Sequence, residues 1–381
     1  MNRIKSRSLS RLKRVREAKE RRLHDRDFHQ RVLVEPGALP PGRKVAVFVL
    51  YQPSGLAPSV ELTCRHLIDN GYAPMIVSNS PLSGPDLQRL KALSWQVVQR
   101  PNFGYDFGAY RDGIFLIWRA GLDLDALIVM NDSTWFPLRA DDRTLAKFDA
   151  SDAQFAGLAY KQEQFGKGNA WHVESHFLRF GRHALRSDAF RAFWKNYAMT
   201  SDRVQTILTG EKGISRAMIG AGFHPQSCVC FASLLDWFIS ATSADQRRVF
   251  EEASLHIREQ AEAVQGLLDD YADTRAWRLR SIAQFSNMLA SLEFFPTTTF
   301  LATSMREFGL PFVKKSNDDH YRSLRHGADR FDLARQKVLQ LNERGDIPVL
   351  DPAVEREIRA SVRRRAEQVR DIPHLAAQHP A

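Results

Sequence analysis

Cysteine is scarce in this 381-residue chain, with only Cys64, Cys228 and Cys230. Three thiols, two of them separated by a single residue in an apolar stretch, give neither a disulfide framework nor a zinc-ligand spacing, so a reducing cytoplasm is the expected compartment. Long apolar runs are missing too. None reaches the roughly 18–20 residues that a transmembrane helix needs, and the N-terminus is charged with no apolar segment behind it. The expectation is a soluble, non-secreted protein, cytoplasmic or peripheral at the inner face of the plasma membrane. The sequence also lacks internal repeats, long low-complexity tracts and a G-x-S-x-G elbow, which leaves a serine hydrolase without support. What remains is a chain that is 44% hydrophobic and long enough for a large core and two domains.

The net charge of +10 is unevenly placed. Residues 1–31 hold twelve Lys or Arg against four acids, a balance of +8, so the rest is near neutral. Such an arm is compatible with a solvated helix, with attachment to an anionic membrane surface, or with nucleic-acid phosphates. It contains no aromatic platforms interleaved with basic residues, so no nucleic acid is expected as a partner.

After a Pro/Gly linker at residues 34–42, short apolar runs alternate with helical spacing. Strands are predicted at Val45–Leu50, Met75–Val77, Trp95–Val98 and Ala126–Met130, with helices at Ser59–Asn70 and Asp86–Leu93. This alternation predicts an α/β fold with a mostly parallel, doubly wound sheet flanked by helices. From about Ser243 to Leu292 the composition predicts a helical subdomain. Asp351-Pro352 opens a basic C-terminal helix with Val354, Ile358, Val362, Ala366 and Val369 at three- and four-residue spacing. The expected division is an arm and linker (1–42), a sheet domain suited to nucleotide binding (43–240), a mainly helical subdomain (241–350) and a basic tail (351–381).

Ligands of parallel sheets gather where strands end. Asp132, flanked by Asn131 and Ser133, follows the apolar strand Ala126–Met130 and is the first candidate; the alternative is an Asp capping a turn. By the same rule Tyr51, Gln52, Ser78 and Asn79 would surround a base and ribose. Gly104 and Gly108, in the loop before the next helix, permit close backbone approach to a ligand. Two histidines, His172 and His176, stand four residues apart around Glu174. They would converge on a metal only on a helix, whereas Phe177–Phe180 reads as a strand, so His172 and Ser175 are expected to touch a ligand or to be structural.

The segments VFVLYQPSG, IVSNSPLS, RPNFGYDFGAYRDG, MNDSTWFPL, WHVESHFLRFG, ILTGEKGISRAMIGAGF and FGLPFVKK occur in an order that resembles the rhamnan synthesis F (RgpF-like) family. The resemblance runs from about Lys44 to Lys315. It implies a GT-A-like fold and a glycosyltransferase, inverting, that moves a deoxyhexose from a nucleotide-sugar, dTDP-rhamnose being the first candidate, to a lipid-linked glycan acceptor in polysaccharide assembly. It implies that Asp132 holds Mg²⁺ or Mn²⁺ against the diphosphate, although the single carboxylate of Asn131-Asp132-Ser133 puts metal dependence in question. It further implies donor contacts by Arg100, Asn102, Gly104 and Asp106, donor or acceptor contacts by His172 and Ser175, a phosphate contact at Lys314, and a general base at Glu211, for which the alternative is an acid favoured by the dipole of the helix it opens. A Pro-Thr-His element of the family is represented by Pro296-Thr297-Thr298 without its histidine. The alternative is a non-catalytic carbohydrate- or nucleotide-binding accessory protein.

Overall fold

The computed structural model describes residues 15–161, 172–291, 293–318, 326 and 328–370. Two compact units emerge. The first comprises Met1–Asp132, Asp149–Gly157 and His172–Gln226; the second comprises Ser133–Phe148, Leu158–Trp171 and Ser227–Ala381.

The first unit is built on a twisted sheet. Its parallel centre consists of β2 (Lys44–Leu50), β3 (Ala73–Ser78), β4 (Gln96–Gln99) and β5 (Ala126–Asn131), in the spatial order β4-β3-β2-β5. These are the apolar runs read from the sequence, and nearly every residue in them is buried, as a strand covered on both faces requires. Antiparallel strands extend both sides: β1 (Leu33–Pro36) on β4, then β9 (Phe177–Gly181) on β5 and the first three residues of β7 (Phe155–Lys161) on β9. The two-residue β8 (His172–Val173) pairs with β7, and so does β10 (Pro225–Cys230). The segment expected to be linker therefore opens as an edge strand, where the Pro36 nitrogen removes no central ladder bond.

Helices α1 (Pro58–Asp69), α2 (Gly84–Ala92) and α3 (Tyr105–Arg119) connect the parallel strands. A Cβ on Gly113 of α3 would stand 2.7 Å from a Val47 methyl, so the missing side chain is what lets α3 lie directly on β2. Chain order now fixes a topological feature. From β2 the chain winds outward through β3 and β4, then returns to the other side of β2 as β5. The C-terminal ends of β2 and β5 flank the switch point, the crevice where open α/β sheets bind ligands.

The basic arm is part of this unit rather than a solvated appendage. Residues 1–14 lie outside the described residues; residues 15–26 are helical. His24 is wholly buried, with Nε2 at 3.0 and 3.1 Å from the two oxygens of Asp112 on α3. Asp25 pairs with Arg111 at 2.8 Å, and Arg21 donates to the Met199 carbonyl at 3.0 Å.

The second unit is mostly helical. Helices at Phe231–Ser240, Ser243–Glu252, Arg258–Asp269 and Arg275–Ala290 occupy the stretch predicted as a helical subdomain. Phe238 and Phe285 stack there at 3.9 Å, and Trp277 is fully buried. A short ladder joins β6 (Thr134–Trp135) to β11 (Val313–Lys314). The C-terminal helix Pro352–Arg370 buries Val354 and Ile358 completely, so the first half of its apolar stripe serves packing, while Val362 is half-buried and Ala366 exposed. Among the described residues no helix is long and apolar enough to cross a membrane.

Candidate functional site

Asp132 follows β5 at the switch point. Its Oδ2 accepts from the Tyr51 N–H at 2.9 Å and from Gln52 Nε2 at 2.6 Å, tying the exit of β2 to the exit of β5. The Gln52 N–H in turn donates to Ser80 Oγ at 3.1 Å. The Tyr51 ring stays exposed at 53%.

Asp106 stands in the first turn of α3 and accepts from Asn131 Nδ2 at 2.6 Å. Gly104 precedes it with φ +82°, in the left-handed region that glycine adopts without strain. Burial, and then the charge of Asp132, push the Asp106 carboxyl up to about 6. Two carboxylates thus converge where two parallel strands end.

A third acid reaches the same unit from a different element. Glu211 is the last residue of a π-helical stretch, Thr206–Glu211, that leads into α4 (Lys212–Gly220). Its Oε1 lies 3.1 Å from His172 Nε2, while Oε2 accepts from the Ser175 N–H at 3.0 Å and from the Ser175 hydroxyl. Burial works to raise this carboxyl, the largest single effect. The hydrogen bond and charge of His172 and the bonds from Ser175 outweigh it and hold the group below the ordinary glutamate range. Tyr110, one turn after Asp106, donates to the Ser175 carbonyl at 2.9 Å. Its phenol is driven well above the ordinary tyrosine value by burial and by the charges of Asp106, Glu211 and Asp132. Tyr110 was not singled out from sequence, although its spacing from Asp106 places both on one helical face.

Other candidates have internal duties. Arg100 is buried, with Nε on Asp112 at 2.6 Å, Nη1 on Asn79 Oδ1 at 2.6 Å and Nη2 on the Phe103 carbonyl at 2.7 Å. It braces the loop from beneath, and Asn79 is its acceptor. Ser78 is fully buried and donates to the Ser80 carbonyl at 2.6 Å. Asn102 is exposed on the loop before α3. A Cβ on Gly108 would stand 2.4 Å from the Phe103 carbonyl, so that glycine has a local packing reason. Ser133 and Lys314 belong to the second unit, where the Ser133 carbonyl accepts from the Lys315 N–H at 2.8 Å beside the β6–β11 ladder. Trp171 of the WHVESH segment lies outside the described residues. His172 and His176 pair with different acids, Glu211 and Glu174. Among the described residues no three His, Cys, Asp or Glu side chains are grouped to hold a metal ion by themselves.

The chain is 31% identical over 229 residues to the uncharacterized protein y4gN of Sinorhizobium fredii, a match covering 56% of this chain and 59% of that relative. It thus spans about three-fifths of the length of the curated relative it matches. Among solved structures, it is similar to a nucleotide-diphospho-sugar transferase of Desulfovibrio desulfuricans G20, described as putative, at 14% identity and a TM-score of 0.26, covering 50% of this chain and 80% of that one. It is also similar to a mannosyltransferase of Pyrobaculum calidifontis, solved with GDP-Man and Mn²⁺, at 12% identity and a TM-score of 0.33, covering 87% and 96%. Residues 75–244, the stretch that carries Asp106, Asp132, His172, Ser175 and Glu211, match the rhamnan synthesis protein F family.

Proposed function

We propose that the chain is an inverting glycosyltransferase. It takes a deoxyhexose, rhamnose on dTDP in the first instance, from a nucleotide-sugar and adds it to a lipid-linked glycan in polysaccharide assembly. The observation that carries this reading is Asp132 at the β2/β5 switch point with Asp106 beside it, inside a stretch that matches a family of rhamnan synthesis.

The donor's base and ribose would lie along the β2 exit, against the exposed Tyr51 ring. Its diphosphate would face Asp132. Two carboxylates alone repel a diphosphate, so the site calls for a cation. Its donor set suits Mg²⁺ or Mn²⁺: hard oxygens from Asp132 and Asp106, in a field already negative enough to raise Asp106, with phosphate oxygens completing the shell. Such an ion supplies charge neutralisation to the departing diphosphate. Glu211, ionised at neutral pH, is the group that accepts the acceptor hydroxyl's proton. His172 and Ser175 fix its two oxygens, and the Ser175 hydroxyl is the donor best able to rotate away as that proton arrives.

One observation favours the second reading, a nucleotide- or carbohydrate-binding module without turnover: both Glu211 oxygens already accept from donors within the fold. The experiment that separates the two is calorimetric titration with dTDP, UDP and GDP, with and without Mn²⁺, on the native chain and on Asp132→Asn, followed by donor turnover on Glu211→Gln. Metal-enhanced binding of one nucleotide, lost in Asp132→Asn, together with turnover lost but binding kept in Glu211→Gln, is expected. Tight binding with no turnover in the native chain moves the assignment to the binding module. Folded protein that binds no nucleotide removes the transferase and leaves only a carbohydrate-binding module.

A further inference from the structure

The helical stretch that ends at Glu211 exposes a row of apolar side chains. Val204, Ile207 and Leu208 are 62%, 39% and 40% exposed, at spacings of three and four residues. Scattered exposed apolar residues are ordinary, but three adjacent ones on one helical face call for an occupant. The inner side of the stretch is occupied: Gly210 is buried against the Phe107 ring.

The arm helix is tied to the same stretch within the first unit. Arg21 donates to the Met199 carbonyl, and Thr200 Oγ1 donates to Glu17 at 2.9 Å. Thr206 Oγ1 then reaches back to the Thr200 carbonyl at 3.2 Å. With Glu17, Arg21 and His24 turned inward, the outer face of the helix carries Arg16, Lys19 and Arg22, three residues apart and exposed. None of these three has an acidic partner among the described residues. Arg203, beside the apolar row, is also exposed.

A row of cations on a helix hydrogen-bonded to the segment that leads into a row of apolar side chains is the composition of an element that rests in a headgroup region. A polynucleotide would match the cations and leave the apolar row in water. A second copy of the chain, docking the same face on itself, would bring cations against cations. We propose that Arg16, Lys19 and Arg22 together with Val204, Ile207 and Leu208 form a docking face for an anionic lipid surface. The proposal does not depend on transferase activity. Joined to it, the face would bring the membrane to the stretch that carries Glu211, where a lipid-linked acceptor is needed.

The test is vesicle flotation with the full chain, comparing phosphatidylcholine vesicles with vesicles containing phosphatidylglycerol. Two triple variants are compared: Arg16→Gln/Lys19→Gln/Arg22→Gln and Val204→Ser/Ile207→Ser/Leu208→Ser. Every substituted side chain is exposed, and unchanged circular dichroism checks the fold. Binding is expected only to the anionic vesicles. The charge variant should lose on the order of 100-fold in partitioning, and the apolar variant about ten-fold or more, with the residual binding of the apolar variant abolished by salt. The proposal is overturned if the native chain ignores anionic vesicles, or if either variant binds them as the native chain does. It is equally overturned if the apolar variant changes only self-association measured by ultracentrifugation, or if the cations act only on polynucleotide. Nucleotide titration of the same variants reads the donor site separately, so failure of one assignment is distinguishable from failure of the other.

Discussion

Asp106 shows what a single side chain costs the fold in order to serve a site. Its carboxyl, held at about 6 by burial and by the Asp132 charge, binds its proton more tightly in the folded chain than in the unfolded one. The sign follows from linkage: the favourable contribution is complete below the unfolded value near 4 and is lost as pH rises through 6, so above that the ionised group weakens the fold by about 2–3 kcal/mol. Asp106→Asn keeps an oxygen for the Asn131 amide and removes the charge. It should raise Tm in scanning calorimetry at pH 7.5, with the gain gone at pH 4, and weaken Mn²⁺-dependent nucleotide binding. A gain independent of pH would mean that charge repulsion is not its source. Glu211 presents the opposite case. Its donors overcome burial, so this acid keeps its charge across the neutral range.

Elements differ in how openly the sequence declares them. The four parallel strands were legible because a strand buried on both faces must be a short apolar run with polar ends, and Asp132 was legible because it closes one of them. The edge strand Leu33–Pro36 was hidden, since a proline and glycines read as linker while the pairing that orders them comes from β4. The fate of the arm was hidden for a related reason. Charge counts show twelve basic residues, but not that His24 and Arg100 would meet at Asp112, 88 and 12 residues away. The π-helical turn before Glu211 was invisible too, because its packing is against α3. There a Cβ on Gly210 would lie 2.8–2.9 Å from Phe107 ring atoms, and that ring is itself wedged against Trp194 and Tyr197. Alanine ordinarily gains about 1 kcal/mol over glycine in a helix, whereas overpacking of this kind costs about 1–3 kcal/mol. Gly210→Ala should therefore lower Tm by a few degrees and disturb the neighbouring Glu211. A thermal scan showing a rise would mean that the helix term wins and that Phe107 can yield.

At the scale of the whole molecule, the two units are not successive beads on the chain. The polypeptide leaves the first unit after Asp132, returns at Asp149, leaves again after Gly157 and returns at His172 before departing after Gln226. The first excursion, Ser133–Phe148, buries Trp135, Phe136, Leu138, Leu145 and Phe148. Its partners inside the second unit come from far downstream. Trp135 Nε1 donates to Glu357 at 2.8 Å, the Leu138 N–H to the Pro311 carbonyl at 3.0 Å, the Asp351 N–H to the Leu138 carbonyl at 2.8 Å, and β6 pairs with β11. A chain stopped at residue 226 would contain the acids of the candidate site and most of the family match, yet leave this excursion without its cover. Burying one large apolar side chain contributes about 1.5–3 kcal/mol, so uncovering Trp135 and Leu138 alone costs about 3–6 kcal/mol, a large part of the stability of an ordinary domain. The 1–226 fragment is therefore expected to bind a hydrophobic dye, to lose near-ultraviolet dichroism from its buried tryptophans and to self-associate on size exclusion, while the full chain does none of these. A monomeric fragment with a sharp cooperative transition would show that the excursion can close on the first unit alone, and the division into two interleaved units would then have no energetic meaning.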